Sequence, residues 1–412
     1  MTPLTRLIST CLLATLLVAG IGHARAAGTA GGGEPPIIAA AVAVEAEGGK
    51  TRFKVTISKP VVAQVQLMES PDRVIVDLPE VAFHLPVETG RKREGLIASY
   101  RYGFFAPGRS RVVMDLAQPA VVSALHVEQG LPGGAALLVI ELSRVERDEF
   151  RRAVAESAPG TRGTPAPEVA QEAKDSRPVI VIDPGHGGID PGAAAVSGVY
   201  EKDIVLSFAQ RLKKQLEAKG QYRVLMTRDQ DVFVSLGDRV RAARAAKADL
   251  FISLHADSIS GAQEVRGLTV YTGSERASDA ESARLADREN NADAVAGIES
   301  SETADEVLDI LQDLTLRETR TFSHGFASGL VGELDAVARL NKNPRREAGF
   351  RVLRAHDVPS VLVELGYLSS RQDLDLIMSE EWRGKMVSAM TAAIDRFFAT
   401  RLARRGAAAV LP

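Results

Sequence analysis

Apolar and polar residues alternate along the first third of the chain, from about residue 37 to residue 147. Turn residues separate the apolar runs at short intervals, and examples of these runs lie at 52–58, 73–78, 111–116 and 137–142. A series of short alternating strands with frequent turns is typical of a β-sandwich. We therefore predict a small all-β sandwich domain over residues 37–147. It contains no cluster of acid and base residues, and its expected role is binding.

From residue 177 onward the pattern changes to buried strands that alternate with helices. Continuous apolar runs bounded by turn residues indicate strands at 178–183, 222–227, 249–254, 267–272 and 358–365. Helical periodicity lies between and after them, at 202–219, 235–247 and 380–401. This order predicts an α/β domain over residues 177–403, with a largely parallel sheet flanked by helices.

One long segment of the α/β domain lacks any strand pattern. A helix is predicted at 281–290, and a second is predicted from an apolar stripe through Val307, Leu308, Leu311, Leu314, Phe322, Phe326 and Leu330. We predict that residues 275–347 form a helical insertion. An insertion of this length is often a lid or a partner-binding site. An ordinary elaboration of a crossover connection is the alternative.

The N-terminus has the pattern of a secretory signal. Arg6 precedes an apolar run at 11–19, and Ala24-Arg25-Ala26 offers a cleavage site, which predicts a signal peptide over residues 1–26. A membrane anchor is the alternative, but the run is shorter than the roughly 20 residues that a span needs. The mature chain is thus expected to have no transmembrane segment. Residues 27–36 form a predicted flexible leader, and residues 148–176, rich in Pro and Gly without apolar periodicity, form a predicted linker.

Composition excludes several classes of chemistry. Cys11 is the only cysteine and lies in the predicted signal peptide, so a mature enzyme would have no thiol nucleophile and no disulfide. The formal net charge of −3 gives no electrostatic case for nucleic-acid binding.

Four polar residues lie where predicted strands end or a helix begins. His186 follows the strand at 178–183 in a glycine-rich turn, Glu201 begins a helix, and His255 closes the strand at 249–254. Two imidazoles and a carboxylate are a usual three-ligand set for catalytic zinc, which leaves a fourth position for water. Zinc lowers the pKa of that water towards about 7.

A second carboxylate is needed to move the proton of the water to a leaving group. Glu364, at the end of the strand at 358–365, is the candidate for this role, because an unpaired charge in a buried strand is otherwise costly. Asp183 and Asp257 are alternative ligands. We expect them instead to hydrogen-bond to ligands or to form turns.

Together these motifs resemble the zinc-dependent N-acetylmuramoyl-L-alanine amidases of the amidase-3 family. The motifs are Asp-Pro-Gly-His-Gly-Gly at 183–188, Glu-Lys at 201–202, Ser-Leu-His-Ala-Asp at 253–257 and Val-Glu at 363–364, in the family's order. The resemblance implies Zn²⁺ held by His186, Glu201 and His255, with Glu364 as the catalytic glutamate. It also implies cleavage of peptidoglycan at the amide between the lactyl group of N-acetylmuramic acid and L-alanine of the stem peptide.

The β-rich segment at 37–147 resembles the AMIN domain, a wall-targeting module, and the layout is similar to the cell-division amidases of Gram-negative bacteria. This implies a periplasmic enzyme of cell-wall remodelling and daughter-cell separation. In those amidases a helical insertion covers the zinc until a periplasmic activator protein binds. Residues 285–290 resemble the blocking helix, which would place Glu289 at the open zinc position. The alternative is that Glu289 is a surface residue of a charged helix.

Two other functions remain open from the sequence. One is a different zinc hydrolase on a similar frame, such as a peptidase or a deacetylase. The other is a wall-binding protein without enzymatic activity that acts through residues 37–147.

Overall fold

A computed structural model describes residues 36–86, 89–130, 134–157, 175, 177–195, 197–259, 265–298 and 310–408. The predicted signal peptide, the predicted leader up to residue 35 and most of the predicted linker lie outside these residues. No helix in these ranges combines the length and the apolar character that a membrane crossing requires.

The N-terminal part is a sandwich of two antiparallel sheets, apart from one parallel pairing at an edge. Its strands are β1 (Ile37–Glu47), β2 (Lys50–Ile57), β3 (Gln64–Met68), β4 (Arg73–Pro79), β5 (Val81–Phe83), β6 (Ile97–Ala106), β7 (Arg109–Leu116), β8 (Ala120–Glu128) and β9 (Ala136–Arg144). One sheet has the order β5-β1-β2-β9-β8 and the other β3-β4-β7-β6. Apolar side chains from both sheets form one buried core, which confirms the predicted all-β domain.

A helix follows the sandwich where the sequence predicted the start of a linker. Helix α1 (Arg147–Ser157) buries Phe150 completely in the sandwich core, and Ala153 and Val154 pack against the same core. The spacing of three and four residues between these side chains is the helical signal. It is easily missed because the helix is short and its other positions are polar.

The α/β domain contains a six-stranded sheet with helices on both faces. Its strands are β10 (Val179–Pro184), β11 (Arg223–Met226), β12 (Leu250–His255), β13 (Leu268–Gly273), β14 (Leu340–Ala348) and β15 (Ser360–Glu364). Its helices are α2 (Glu201–Ala218), α3 (Leu236–Ala245), α4 (Ala280–Asn290), α5 (Ala292–Val295), α6 (Ile310–Asp335), α7 (Arg371–Met378) and α8 (Glu380–Ala408). The strand order is β11-β10-β12-β15-β13-β14, and each pairing is parallel except β13 with β15.

Strand alternation divides the apolar side chains between the two faces of the sheet. On β10, Ile180 and Ile182 join the core beneath α2, α6 and α8, whereas Val181 joins the core on the opposite face. Leu285 of α4 lies in this second core. Because both faces are covered, the central strands are mostly apolar, as expected for a parallel sheet, and their charged or ionisable residues lie near the carboxyl ends.

The structure differs from the sequence prediction near the end of the helical insertion. Residues 340–348 form β14, a strand that pairs in parallel with β13, so the insertion at 275–347 includes one strand of the sheet. This strand was missed because it is an edge strand, whose sequence is mostly polar and contains Pro344. Residues 299–309 of the insertion lie outside the described part of the chain.

Candidate metal centre

The site residues meet at the carboxyl ends of three adjacent parallel strands. His186 follows β10, His255 ends β12, and Glu364 ends β15 directly opposite His255 in the strand register. His186 has φ 58°, a conformation that non-glycine residues seldom adopt. A Cβ atom on Gly185 would lie 2.4 Å from the ring of His255, so the turn has room for this imidazole only because residue 185 is glycine.

Two buried imidazole nitrogens each lie close to the same two buried carboxylate oxygens, between α4 and the sheet. Glu201 Oε1 lies 3.2 Å from His186 Nε2 and 3.2 Å from His255 Nδ1. Glu289 Oε2 lies 3.4 Å and 3.2 Å from the same two nitrogens. Ligands about 2.0–2.1 Å from a tetrahedral zinc ion are separated by about 3.3–3.4 Å, so these distances fit such an ion.

The hydrogen bonding of these atoms also fits a metal. His186 Nε2 and His255 Nδ1 are fully buried, yet neither forms a hydrogen bond with any described residue. A buried polar atom without a partner is costly. A bound cation would give both nitrogens a partner. His186, His255 and Glu289 offer ligand atoms that all lie within 4.8 Å of one another.

Further hydrogen bonds hold the proposed ligands in place. Asp190 Oδ2 lies 2.8 Å from His186 Nδ1 and leaves Nε2 to face the site. Glu201 accepts the backbone N–H of Ala256 at Oε1 and that of Ala193 at Oε2, each at 2.9 Å. Such partners fix the orientation of metal ligands. The sequence analysis missed Asp190, although it lies four residues after His186 in the same glycine-rich turn.

Negative charge exceeds positive charge around the imidazoles. Burial alone would lower the pKa of His186, but the carboxylates of Glu201, Asp190 and Glu289 raise it well above its ordinary value. Burial raises the pKa of Glu289, and Glu201 and Asp257 add to this effect, whereas the two histidines oppose it. A divalent cation would balance this charge.

Asp183 and two arginines form a support beneath the His186 turn rather than part of the cluster. Asp183 is fully buried and accepts hydrogen bonds from Thr227, Ser253 and Arg239. Arg239 also donates to the carbonyl of His186 at 2.7 Å, and Arg228 donates to the carbonyl of Gly185 at 2.8 Å. Neither arginine was predicted. Each is remote in sequence from the turn and is itself surrounded by ordinary helix or loop residues.

Glu364 lies beside the cluster with one oxygen uncommitted. Its Oε2 accepts the backbone N–H of Asp257 at 3.0 Å, whereas Oε1 is buried without a hydrogen bond to any described residue. Burial raises the pKa of Glu364 well above its ordinary value, and the carboxylates of Asp257, Glu201 and Glu289 raise it further. Both effects favour the protonated form of this carboxyl group.

Helix α4 covers the site and carries Glu289 into it. Asp279 caps the helix by accepting the N–H of Ser282, and Leu285 is buried against the α/β domain. Arg288 forms an ion pair with Asp257. The cavity beside the ligand atoms measures about 10 Å³, which is close to the space one water molecule needs.

Two imidazoles at the carboxyl ends of parallel strands and a carboxylate at the start of a helix are a donor set typical of catalytic zinc sites. Residues 180–396 match the family of N-acetylmuramoyl-L-alanine amidases, and residues 41–136 match the AMIN domain. The chain belongs to this amidase family.

Two relatives agree with this assignment over most of the chain. An N-acetylmuramoyl-L-alanine amidase AmiC from Neisseria meningitidis serogroup B is 35% identical over 82% of this chain and 85% of its own length. An AmiC from Escherichia coli is 30% identical over 86% of this chain and 89% of its own length. A solved structure, the amidase AmiC2 of Nostoc punctiforme, is 28% identical over 54% of this chain and 97% of its own, with a TM-score of 0.39.

Proposed function

We propose that this protein is a peptidoglycan hydrolase that cleaves the amide between the lactyl group of N-acetylmuramic acid and L-alanine of the stem peptide. The observation that carries the proposal is the buried cluster of His186, His255 and Glu201, whose ligand atoms face one point beside Glu364. Membership of the amidase family supports the choice of this amide over other substrates. A peptidase and a deacetylase would need the same metal chemistry, and their products differ.

In this proposal His186, Glu201 and His255 hold Zn²⁺. Zinc bound there supplies a polarised water that ionises near neutral pH and an electrophile for the substrate carbonyl. Asp190 fixes the ring of His186, and the N–H groups of Ala193 and Ala256 fix the carboxylate of Glu201. The protein therefore presents its ligands in one orientation before the ion binds.

Glu364 moves the proton. Its Oε1 takes a proton from the attacking water, and the same oxygen then delivers it to the leaving nitrogen of L-alanine. The N–H of Asp257 holds Oε2 and so directs Oε1 towards the site. Burial and the neighbouring carboxylates, which raise the pKa of Glu364, favour the protonated form that the second step requires.

Glu289 blocks the site in the resting enzyme. Its Oε2 lies 3.2–3.4 Å from the two imidazole nitrogens, in the position that the catalytic water would occupy. A periplasmic activator protein that binds the insertion at 275–347 with α4 displaced would shift the population to the open form.

The same relatives and the sequence also support a proposed location and biological role. The predicted signal peptide at 1–26 and the similarity to amidases of Gram-negative bacteria support a periplasmic enzyme. Within it, residues 37–147 would serve as the wall-targeting AMIN-type domain, 148–176 as a connection and 177–403 as the catalytic domain. Its role would be cell-wall remodelling and the separation of daughter cells.

Digestion of purified sacculi tests the activity. Mass spectrometry of the products should find stem peptides that begin with a free L-alanine amine, together with glycan strands that retain the lactyl group. Release of acetate would support a deacetylase, and cleavage within the stem peptide would support a peptidase. A chain with no bound zinc by elemental analysis and no product would contradict the proposal.

A further inference from the structure

The outer face of one sheet of the β domain contacts the segment that blocks the metal site. Strands β4 and β7 direct Val74, Val76 and Val112 into the sandwich core, so the intervening side chains lie on the opposite face. Three arginines of this sheet, here called the arginine face, are Arg73, Arg101 and Arg111. They donate hydrogen bonds to the end of the segment formed by α4 and α5.

The arginine face binds backbone carbonyl groups at the C-terminal end of α5. Arg73 donates to the carbonyl of Ala294, and Arg101 Nε donates to that of Val295 at 2.7 Å. Arg111 donates to the carbonyl of Ala296 at 2.9 Å. The last carbonyls of a helix carry partial negative charge, so cationic donors stabilise them.

Acidic residues on the same sheet hold the arginines in this orientation. Asp115 accepts hydrogen bonds from Arg73 and Arg101, each at 2.7 Å. Asp77 accepts two from Arg111, at 2.6 Å and 2.9 Å. Because the guanidinium groups are fixed beforehand, little further side-chain entropy is lost when they bind the carbonyls.

Apolar side chains also pack where the end of the α4–α5 segment meets the β domain. Ala296 is fully buried in a cluster with Ile75 and Val113 of the β domain and Phe233 of the α/β domain. Gly297 has φ +72°, and a Cβ atom there would lie 2.6 Å from Ile75 Cδ1. Larger residues at this position would therefore push the segment away from the sheet.

A short, hydrogen-bonded stretch connects this junction to Glu289. Asn291 ends α4 and begins α5, with its N–H bonded to the carbonyl of Arg288 and its carbonyl bonded to the N–H of Val295. Because no loop lies between α4 and α5, a displacement of residues 294–297 is expected to displace α4 as well.

We propose that the arginine face of the β domain is an intramolecular latch, which holds the α4–α5 segment closed so that Glu289 stays in the metal site. The proposal rests on the proposed function only for its effect on the rate. The latch itself is a contact between two parts of the chain. Opening of the site then requires the segment to leave the arginine face, and the open form exposes that face to solvent.

Amide hydrogen exchange of α4 in the full-length protein tests the latch without reference to catalysis. In Arg111→Gln, exchange of the α4 amides should be about tenfold faster than in the parent protein, as expected for losing a hydrogen bond to a charged group. Arg101→Gln is the second variant. It leaves Asp115 paired with Arg73 and replaces a side chain that is 20% exposed, so it is the safer change for folding.

Arg52→Gln provides the matched control. Arg52 belongs to the other sheet, where it pairs with Glu141, so the charge change is the same and the latch is untouched. Exchange in β4 and β7 reports whether the β domain remains folded. Unchanged exchange of α4 in both latch variants, with the domain folded, would overturn the proposal.

The basal rate of release of dye-labelled peptidoglycan by the zinc-loaded protein is the second readout. It should rise about tenfold in the latch variants and stay within about twofold of the parent in Arg52→Gln. If α4 exchange rises and no variant releases peptidoglycan, the latch stands and the proposed function fails. If the parent releases peptidoglycan and α4 exchange does not change, the latch fails and the proposed function stands.

Discussion

Replacement of Glu289 by glutamine tests whether the Glu289 carboxylate blocks the proposed metal site or whether α4 merely lies near it. The change removes the negative charge from a side chain that is 6% exposed and keeps its size. Its oxygen lies 3.2 Å and 3.4 Å from the two imidazole nitrogens, so the carboxylate would be lost as a strong fourth ligand. We expect Glu289→Gln to raise the basal rate of peptidoglycan hydrolysis.

The size of the effect follows from what still holds α4 closed. Arg288 retains its ion pair with Asp257, and Asn290 retains hydrogen bonds of 2.9 Å and 2.7 Å to the backbone of Gly349 and Arg351. Loss of one contact to a charged group costs about 1.5–3 kcal/mol. Since about 1.4 kcal/mol is a factor of ten, the open fraction should rise about ten- to hundredfold while the closed form still predominates.

The assay is the release of dye from labelled sacculi by the zinc-loaded protein, with zinc content measured on each sample. Glu289→Ala serves as a second variant, because glutamine retains a weakly ligating oxygen. Glu281→Gln is the control, since Glu281 lies on the same helix and pairs with Arg346. A basal rate within twofold of the parent in both Glu289 variants, at unchanged zinc content, would refute the role of Glu289.

Three other changes address the catalytic carboxylate, the support beneath the turn and the β domain. Glu364→Gln should retain zinc by elemental analysis and lose about 10²–10⁴-fold in hydrolysis, and substantial remaining activity would argue against its role in proton transfer. Asp183→Ala leaves the buried Arg239 without its carboxylate partner and should lower the free energy of unfolding, measured in urea, by about 3–5 kcal/mol. A loss below about 1 kcal/mol would contradict the supporting role of Asp183 beneath the His186 turn. Burial opposes ionisation of Asp115, but its two arginine partners outweigh burial and lower its pKa below the ordinary value of 3.8. The ionised carboxylate therefore stabilises the fold fully above pH 3.8, and this stabilisation is lost as the pH falls through the lowered pKa. The difference in unfolding free energy between the parent and Asp115→Asn should therefore shrink as the pH falls below about 4, and a constant difference would be inconsistent with this linkage.

Parts of the site were predictable because the sequence motifs that contain these residues lie at the ends of clearly apolar strands. His186, His255 and Glu364 were identified at strand ends, and the structure places His255 opposite Glu364 in the strand register. The structure brings His186, Glu201, His255 and Glu289 together, as expected for the predicted cluster. Their roles in zinc binding and catalysis remain predictions.

Other parts could not be predicted because their signal is not local. Arg228 and Arg239 act through backbone carbonyls of the His186 turn, more than 40 residues away. Strand β14 is polar because it lies at the edge of the sheet, and α1 has only a few apolar positions. Each of these features depends on contacts with residues that are distant in the sequence, and no local pattern indicates those contacts.

The sequence by itself determined which segments are strands and helices over most of the α/β domain, and which residues are the candidates for metal binding and catalysis. It did so because burial on both faces of a sheet requires continuous apolar runs, and because metal ligands come from a small set of residue types. Only the tertiary structure decided that Glu289 enters the metal site and that Arg73, Arg101 and Arg111 grip the end of its helix. The contacts of the three arginines, and that of Glu289 with His186, join residues about 100 to 220 positions apart, and their geometry is fixed by tertiary packing rather than by any local pattern.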